Sequence, residues 1–382
     1  MLTYKTAGES HSKGLAALIE GFPAGCAVPT DVIDAELARR QGGYGRGARQ
    51  RIERDRVEIL SGVLHGKTTG APLLLWIKNR DEKIESMPEL TRPRPGHADF
   101  TGAMKYANGI RGVLERASAR ETAARVAAGA FCSGLLATFG IFAAGYVTGI
   151  GPLDLAPDAG LFAKTSCKKI IALRNQSSVY SLCPERDALA ERLIDSTGDE
   201  GDTLGGVIEV RVFGVPVGLG SHTQYDLKLD AKLAAAAMSI QAMKGVEIGL
   251  GFEAARRVGS LVHDPILPRR AASKGSRITR PTNHAGGIEG GMSNGEPIIV
   301  RAAMKPIATL KKPLASVDLA TGKKAEASFE RSDVCAVSAA SVVLQNVVAF
   351  EIASALLEKL GADSLAEAKA RFELLQKTQE SF

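Results

Sequence analysis

The sequence predicts a mixed α+β fold with antiparallel sheets. Strand-like segments come in groups and helical segments are separated by long stretches, so the regular strand–helix alternation of a doubly wound fold is absent. The 382 residues are 45% hydrophobic and 24% charged, which is ordinary for a folded chain. The 41 glycines indicate many tight turns and close backbone approaches. Neither a linker nor a domain boundary is apparent, so we expect one domain over residues 1–382.

Hydrophobic patterning and helix-ending residues locate the predicted elements. The predicted strands are Val57–Val63, Leu73–Ile77, Ile141–Val147, Val207–Val212 and Ile298–Ala303. The predicted helices are Asp31–Arg40, Ala119–Thr138, Leu229–Met243, Ala336–Leu360 and Leu365–Gln379. Ser364 and Glu367 form a capping box for the last helix, and Gly361 ends the helix before it. The polar stretch Pro184–Gly205 is expected at the surface.

Composition restricts the class of protein. The net charge of +6 is small beside 48 basic and 42 acidic residues, so it does not by itself indicate nucleic-acid binding. The five cysteines include no C-x-x-C pair, which argues against a disulfide framework or a zinc site and favours a reducing compartment. The segment Met1–Ser10 lacks the layout of a signal peptide, so we expect a cytoplasmic protein.

One apolar segment is long enough to span a bilayer. Val126–Leu153 carries no charge, and about 20 apolar residues suffice for a membrane span. Glycines interrupt this segment repeatedly and divide it into lengths that are typical of globular proteins. We therefore expect a buried helix that ends near Gly140 and a strand that follows it, both in the core of a soluble domain.

Arginine, without lysine, dominates the segment from residue 39 to residue 56. The basic residues are Arg39, Arg40, Arg46, Arg49, Arg51, Arg54 and Arg56. Guanidinium groups donate paired hydrogen bonds to carboxylate or phosphate, so the segment predicts recognition of anions. Two alternatives stay open at this point, namely a solvated basic loop and an arginine–glycine segment that binds RNA.

A second candidate anion site lies at the start of the helix predicted from residue 119. Ser118 and Glu121 have the spacing of a capping box, so Ser118 is expected to be the N-cap. A helix N-terminus presents free N–H groups and partial positive charge, which Arg116, Arg120 and Arg125 would reinforce. An anionic ligand would be well placed there.

Two histidines and two further polar residues are also candidates. His11 and His97 stand in loop-like segments, and imidazole suits proton transfer or a cationic contact, although a lone histidine is more often a surface or core residue. Lys305 follows an apolar strand and could hold a phosphate or simply close the strand end. Asp333 is expected to be the N-cap of a long apolar helix. The sequence contains no P-loop, Rossmann or H-E-x-x-H zinc motif.

These segments, taken in order, resemble the chorismate synthase family across nearly the whole chain. The matching segments are Thr6–His11, Arg39–Gly47, Arg94–Asp99, Ser118–Thr122, Gly201–Gly206, Gly214–Gly220, Met243–Glu247, Glu289–Met292 and Lys305–Ile307. Each motif is modest evidence alone, but their common order along the chain is highly specific. The resemblance implies a homotetramer whose subunit is a β-α-β sandwich, with antiparallel four-stranded sheets that enclose a helical layer.

The resemblance also implies a reaction. In this family 5-enolpyruvylshikimate 3-phosphate loses phosphate and a C6 hydrogen by anti-1,4-elimination, which gives chorismate in the last common step of aromatic amino acid biosynthesis. Reduced FMN is required, although no net oxidation occurs. The family is associated with NADP as well, but no separate nicotinamide motif is visible, so we expect an outside flavin reductase to supply the reduced FMN. Neither nucleic acid nor membrane is an expected partner.

The resemblance finally implies roles for individual residues. His11 is expected to contact the leaving phosphate, His97 to lie near flavin N1 and Asp333 to lie near flavin N5. The implied substrate-binding residues are Ser10, Arg40, Arg46, Arg49 and Arg125. The implied FMN-binding residues are Arg116, Ala117, Ser118, Gln241, Ala242, Gly290, Lys305, Pro306, Ile307, Ala308, Thr309 and Arg331. Ser12 and Ala117 depart from the family's usual residues, but neither change removes an expected acid, base or fixed charge.

Overall fold

A computed structural model describes residues 1–47, 54–158, 165–268, 278–330 and 332–380. Within these ranges the helices are α1 (Thr30–Gln41), α2 (Asp99–Tyr106), α3 (Ile110–Ala117), α4 (Thr122–Thr138), α5 (Cys167–Gln176), α6 (Asp187–Asp199), α7 (Leu229–Met238), α8 (Val337–Leu360) and α9 (Leu365–Glu380). A 3-10 turn, Ala119–Glu121, joins α3 to α4.

The strands of the described residues form two large antiparallel sheets and several short hairpins. They are β1 (Thr3–Ala7), β2 (Gly14–Glu20), β3 (Glu58–Ser61), β4 (Val63–Leu64), β5 (Lys67–Thr68), β6 (Leu73–Lys78), β7 (Phe142–Ile150), β8 (Leu153–Asp154), β9 (Gly206–Phe213), β10 (Met243–Ile248), β11 (Leu267–Pro268), β12 (Ile278–Thr279), β13 (Ile288–Glu289), β14 (Met292–Ser293), β15 (Ile298–Met304), β16 (Ala315–Val317) and β17 (Lys324–Glu326). The first sheet has the order β1-β2-β6-β3, and the second has the order β10-β15-β9-β7-β8.

The two sheets enclose a layer of helices. Helix α4 packs on β2 and β6 of the first sheet, α8 packs on β7 and β9 of the second, and α1 contacts both helices. Alternation of buried and more exposed residues along β6 and β15 turns one face of each strand toward the helices. The predicted α+β fold with antiparallel sheets is confirmed, and the second sheet gains a fifth strand, the two-residue β8.

Helices α4 and α8 approach each other closely at the centre of the molecule. A Cβ atom on Gly129 of α4 would lie 2.0 Å from the carbonyl oxygen of Asn346 in α8, so only glycine fits there. Helix α8 is long and apolar enough to cross a membrane, but 89% of its most apolar window is buried inside the protein. Such burial is typical of the central helix of a globular core.

Most of the predicted elements are confirmed, although one predicted helix ends early and several observed elements, α6 among them, were not predicted. The uncharged segment 126–153 forms the end of α4 and then β7, as expected. The helix predicted over Leu229–Met243 ends at Met238, because residues 243–248 pair with β15 as strand β10. The polar stretch Pro184–Gly205 contains an unpredicted helix, α6. The capping box before α9 is present, since the Glu367 amide donates to Ser364 Oγ over 3.3 Å.

Candidate functional site

A cavity of about 500 Å³ opens between the helical layer and three loops. Its walls come from the end of α1, the junction of α3 and α4, the loops around residues 94–98 and 305–309, and Glu330, Ser332 and Asp333. This volume lies within the range of about 300–1,000 Å³ that is common for cofactor and small-molecule sites.

Most of the predicted site residues line this cavity. Those on its walls are Ser10, His11, Arg40, Arg46, His97, Ala117, Ser118, Gln241, Ala242, Lys305, Pro306, Ile307, Ala308, Thr309 and Asp333. The predicted residues Arg49 and Arg331 lie outside the described residues. Segments that are far apart in the sequence therefore meet at one place, although the individual roles of their residues stay predictions.

Three predicted residues are not on the cavity walls. Arg116 is exposed and donates hydrogen bonds to the carbonyl oxygens of Thr6 and Gly8, at 3.0 and 2.8 Å. Arg125 forms an ion pair with Glu121 over 3.0 Å, and the two residues have the i, i+4 spacing of neighbours on one helix face. Gly290 lies in the turn between β13 and β14. Their predicted contacts with ligands stay predictions.

Two arginines on the cavity wall share one buried carboxylate. Arg40 is at the end of α1 and Arg120 precedes α4, and their side chains lie 3.2 and 2.6 Å from Asp55 Oδ2. Burial lowers the pKa of Arg40 to about 10, so the guanidinium is still charged at neutral pH. Burial alone would raise the pKa of Asp55, but the charges and hydrogen bonds of Arg40 and Arg120 lower it below the usual value. One negative charge for two positive charges leaves a net positive wall.

Arg46 is held by Asp333 on the other side of the cavity. The Arg46 guanidinium lies 2.8 Å from Asp333 Oδ2, and the Gly47 amide donates to Asp333 Oδ1 over 2.6 Å. Asp333 does not cap α8, since the residue before the helix is Ala336, so the N-cap prediction is wrong. The carboxylate instead accepts hydrogen bonds from an amide and a guanidinium of a distant loop. Such charge-assisted hydrogen bonds are stronger than those between neutral groups.

The loop that carries His97 is fixed by a buried aspartate. Asp99 Oδ1 lies 2.5 Å from His97 Nδ1, and both carboxylate oxygens of Asp99 accept hydrogen bonds from the Arg94 side chain at 2.8 and 3.0 Å. Arg94 also donates to Thr309 Oγ1 over 2.7 Å, which links this loop to the 305–309 loop. Burial opposes ionisation of Asp99, but hydrogen bonds from His97 and Arg94 hold its pKa well below the usual range.

His11, which also lines the cavity, is arranged in a similar way. Its Nδ1 lies 2.8 Å from Glu115 Oε2, and its backbone amide donates to the same oxygen over 3.0 Å. Its Nε2 lies 3.6 Å from Asp81 Oδ2. Burial alone would raise the pKa of Glu115, but the hydrogen bonds and charge of His11, with the charge of Arg111, lower it.

The 305–309 loop brings a lysine and several backbone groups to the cavity. Lys305 Nζ donates to the carbonyl oxygen of Gly96 over 2.5 Å, and Thr203 Oγ1 donates to that of Ile307 over 2.8 Å. Burial, together with the charge of Lys244, lowers the pKa of Lys305. The loop is thus tied to its neighbours while its cation stays half-buried at the cavity.

Ser118 and Gln241 provide polar groups near the junction of α3 and α4. Ser118 caps the 3-10 turn, because its Oγ accepts from the Arg120 amide over 3.3 Å, and it also donates to Ser10 Oγ over 3.2 Å. Gln241 Nε2 donates to Glu121 Oε2 over 3.1 Å. Among the described residues no group pairs with the buried Gln241 Oε1, which leaves an acceptor at the cavity wall.

The comparisons with known proteins agree with one another. The family model described as chorismate synthase matches residues 2–357. The chain belongs to the chorismate synthase family. Two relatives named chorismate synthase, from Trichlorobacter lovleyi and Geobacter metallireducens, are 55% and 54% identical to this chain, over 96% and 98% of each sequence.

A solved structure is also similar to this chain. A protein described as "Crystal Structure of Chorismate Synthase" matches with a TM-score of 0.81 and 43% identity, over 100% of this chain and 99% of that chain. The predicted family and enzyme class are confirmed: the chain is a lyase of aromatic amino acid biosynthesis.

Several residues at the chorismate synthase site were missed by sequence reasoning. Arg94 lines the cavity and Asp99 supports it, and both belong to the segment quoted for His97, so their signal was present but unused. Asp55 was visible as one of two acids in the arginine-rich segment. Glu115 gave no local signal, because its partner His11 is 104 positions away. Glu330, also on the wall, gave no signal either.

Proposed function

We propose that this chain catalyses the anti-1,4-elimination of phosphate and a C6 hydrogen from 5-enolpyruvylshikimate 3-phosphate, which gives chorismate, with reduced FMN and without net redox change. The observation that carries the proposal is the convergence of His11, His97, Arg40, Arg46 and Lys305 on one cavity of about 500 Å³. A substrate with one phosphate and two carboxylates, together with a phosphorylated cofactor, needs several cationic groups at one place.

The residues present fit reduced FMN. The buried acceptor Gln241 Oε1, unpaired within the described ranges, suits a ligand ring that carries N–H groups. Lys305 and the backbone of the 305–309 loop suit a phosphate or polar ring edge. In this proposal the cofactor is held by Ala117, Ser118, Gln241, Ala242 and Lys305–Thr309, with Arg116, Gly290 and Arg331 as further predicted contacts. When bound, reduced FMN supplies the transient electron density that makes loss of phosphate feasible.

The arginines bind and orient the substrate. Arg40 and Arg120 share the single negative charge of Asp55, so the pair retains a positive charge for an anionic substrate group. Arg46 is planar and can bind a carboxylate or phosphate with two parallel hydrogen bonds while it contacts Asp333. Ser10, Arg49 and Arg125 are the remaining proposed substrate contacts.

The two histidines act on charge and protons. His11 stabilises the negative charge that develops on the departing phosphate, because a preorganised imidazole at that position requires no reorganisation during the reaction. His97 holds a proton at its imidazole ring beside the proposed position of flavin N1. Asp333 is proposed near flavin N5, with its carboxylate fixed by Arg46 and Gly47.

The wider setting of the proposal follows from the family. We place the enzyme in the cytoplasm as a homotetramer, with an external flavin reductase, linked to NADP, as the source of reduced FMN. The family resemblance supports the tetramer, and the lack of a nicotinamide motif in the sequence supports the external reductase.

The test is an anaerobic assay with the purified chain. Enzyme, reduced FMN and 5-enolpyruvylshikimate 3-phosphate are mixed, and phosphate release and chorismate formation are followed together. The proposal expects equal amounts of both products, and neither product when FMN is omitted or oxidised. Absence of chorismate at micromolar enzyme contradicts the proposal, and binding of reduced FMN without turnover would indicate an inactive flavin-binding homologue.

A further inference from the structure

Each of the two cavity histidines is backed by a buried carboxylate. Asp99 is 0% exposed and its Oδ1 lies 2.5 Å from His97 Nδ1, while Glu115 is 1% exposed and its Oε2 lies 2.8 Å from His11 Nδ1. The two pairs come from different parts of the chain, since one is local and the other joins β1–β2 to α3. In both pairs the carboxylate contacts the same ring nitrogen, Nδ1.

The surroundings of Asp99 determine where the proton of His97 lies. Asp99 accepts hydrogen bonds from the backbone amide, Nε and Nη2 of Arg94, at 3.0, 2.8 and 3.0 Å. A carboxylate with three such donors is ionised and can only accept, so His97 Nδ1 must carry a proton. Arg94 Nη2 also lies 3.0 Å from Nδ1 and 3.5 Å from Nε2 of His97. Because Nη2 donates to Asp99 Oδ1, Nη2 and Nδ1 are two donors to the same oxygen.

The same reasoning applies to His11. Glu115 Oε2 accepts from the His11 backbone amide over 3.0 Å, and Arg111 lies 3.5 Å from Glu115 Oε1. These positive and donor groups keep the carboxylate ionised, so His11 Nδ1 is the donor of the 2.8 Å contact. The second ring nitrogen, Nε2, then carries the lone pair of the neutral ring, and it lies 3.6 Å from Asp81 Oδ2.

We propose that Asp99 and Glu115 are positioning residues that fix both imidazoles with Nδ1 protonated, so that Nε2 is the atom at which each histidine accepts or donates a proton in the cavity. The catalytic consequence of this fixed tautomer depends on the function proposed above. A carboxylate beside a catalytic imidazole selects the ring's tautomer and orientation, and loss of its charge has reduced kcat by up to about 10⁴-fold in serine proteases.

The tautomers can be read without substrate or cofactor. Protein labelled with [¹⁵N]histidine is examined by two-bond ¹H–¹⁵N correlation at about pH 8, above the ordinary pKa of histidine. The signals are assigned from His11→Gln and His97→Gln variants. We expect the Nδ1–H tautomer at both positions. An Nε2–H tautomer at either position in the unmodified chain overturns the proposal for that histidine, and this measurement does not depend on the folding of any carboxylate variant.

Carboxylate variants then separate the two pairs. Asp99→Asn is expected to give a mixture of tautomers at His97 and to leave the His11 tautomer unchanged. Glu115→Gln is expected to give a mixture at His11 and to leave the His97 tautomer unchanged. Asp264→Asn is the matched control, because Asp264 lies 3.9 Å from His284 Nδ1 and is not among the cavity residues. This control is expected to leave the signals of both cavity histidines unchanged.

Kinetics complete the test. Asp99→Asn is expected to lower kcat roughly 10- to 100-fold, as loss of an orienting partner does elsewhere, while KM changes by less than about 3-fold. If Asp99→Asn leaves both the His97 tautomer and kcat unchanged, the inference is overturned, although the proposed elimination reaction is not contradicted. A wild-type chain with the expected tautomers but no chorismate formation overturns the proposed function instead.

Discussion

Two walls of the cavity are stabilised in different ways. The helix wall consists of Arg40, Arg120 and Thr122, with Asp55 behind them, and the loop wall consists of Gly96, His97, Lys305 and Asp333. On the helix wall two arginines that are 3% and 7% exposed meet one buried carboxylate, and Arg40 also donates to Thr122 Oγ1 over 3.3 Å. On the loop wall Lys305 donates to a backbone carbonyl, that of Gly96.

This difference indicates which part of the site is formed before ligands bind. Buried charges need fixed partners, so the positive field of the helix wall is built during folding. The loop wall has the buried Asp99 and Arg94 behind His97, but its lysine, Lys305, is only half-buried and lies on a loop. Loops are the parts of a protein that open most readily. We expect changes on the helix wall to affect stability first and changes on the loop wall to affect turnover and ligand affinity first.

The largest effect is expected for Asp55→Asn on the helix wall. The substitution keeps the size of the side chain but leaves Arg40 and Arg120 buried without their shared counter-charge. Removal of one partner of a buried ion pair costs about 3–5 kcal/mol, measured as the free energy of unfolding in urea. Glu358→Gln is the control, because its partner Lys232 is on the surface and such pairs contribute about 0–1 kcal/mol. Equal losses in both variants would contradict the comparison of the walls.

The same carboxylate predicts how stability responds to acid. The pKa of Asp55 is lower in the folded chain than its usual value of 3.8. Its contribution is therefore complete above pH 3.8 and is lost as pH falls through the lower folded pKa. Acid unfolding of the wild type followed by circular dichroism should show this loss below about pH 4, and Asp55→Asn should show less change over the same range. An identical pH dependence in the two proteins would argue that Asp55 is not responsible.

On the loop wall the largest effect is expected for His97→Ala. Loss of a group that holds a proton during the reaction typically lowers kcat by about 10²- to 10⁴-fold. KM should change much less, because the arginines that bind substrate are retained. His222→Ala is a suitable control, since His222 is exposed and does not line the cavity. Loss of substrate affinity with unchanged kcat would show that the proposed role of His97 is wrong.

A moderate effect is expected for Arg46→Lys. Lysine keeps the positive charge. It cannot, however, contact Asp333 and at the same time donate two parallel hydrogen bonds to the substrate, as a guanidinium can. We expect KM to rise about 10-fold, which corresponds to about 1.4 kcal/mol. Steady-state kinetics with reduced FMN in excess measures this effect, and wild-type values would show that Arg46 is peripheral.

The smallest effect is expected for Lys305→Gln. The lysine is half-buried, so loss of its charge should weaken binding of reduced FMN about 5-fold, or about 1 kcal/mol. Because its pKa is lowered in the folded chain, wild-type affinity should also fall at high pH, earlier than a free lysine would predict. Anaerobic fluorescence titrations across pH measure both effects. A pH response that persists in the variant would assign it to another group.

The sequence was informative where one stretch of chain determines the outcome. Helix α8 was predicted almost in full, because a long and mostly apolar run ends at Gly361, which adopts a left-handed conformation with φ of 56°. Strands β1 and β2 were not predicted, since β1 is an edge strand and shows little apolar alternation. Helix α2 has only eight residues and little periodicity, whereas α3 has apolar residues at Ile110, Val113, Leu114 and Ala117, a helical spacing that was not used for a prediction.

The site shows the same limit more sharply. The arginine-rich segment identified Arg40 and Arg46 because a run of one residue type is visible locally. The partner of Arg40, Asp55, stands in the same segment. The pairing of Asp333 with this loop was not predictable, since Asp333 contacts Gly47 across 286 positions and only the fold brings them together. Local patterns thus indicate which groups are unusual, and tertiary contacts decide which charge each group faces.

The two walls are proposed to enclose the substrate and reduced flavin together. Crystals grown with both ligands would show directly whether they do. We expect flavin against Gln241 and Lys305, with the phosphorylated substrate between it and the helix-wall residue Arg40. Flavin bound elsewhere, or a substrate that contacts none of the cavity's cationic groups, would contradict this proposal.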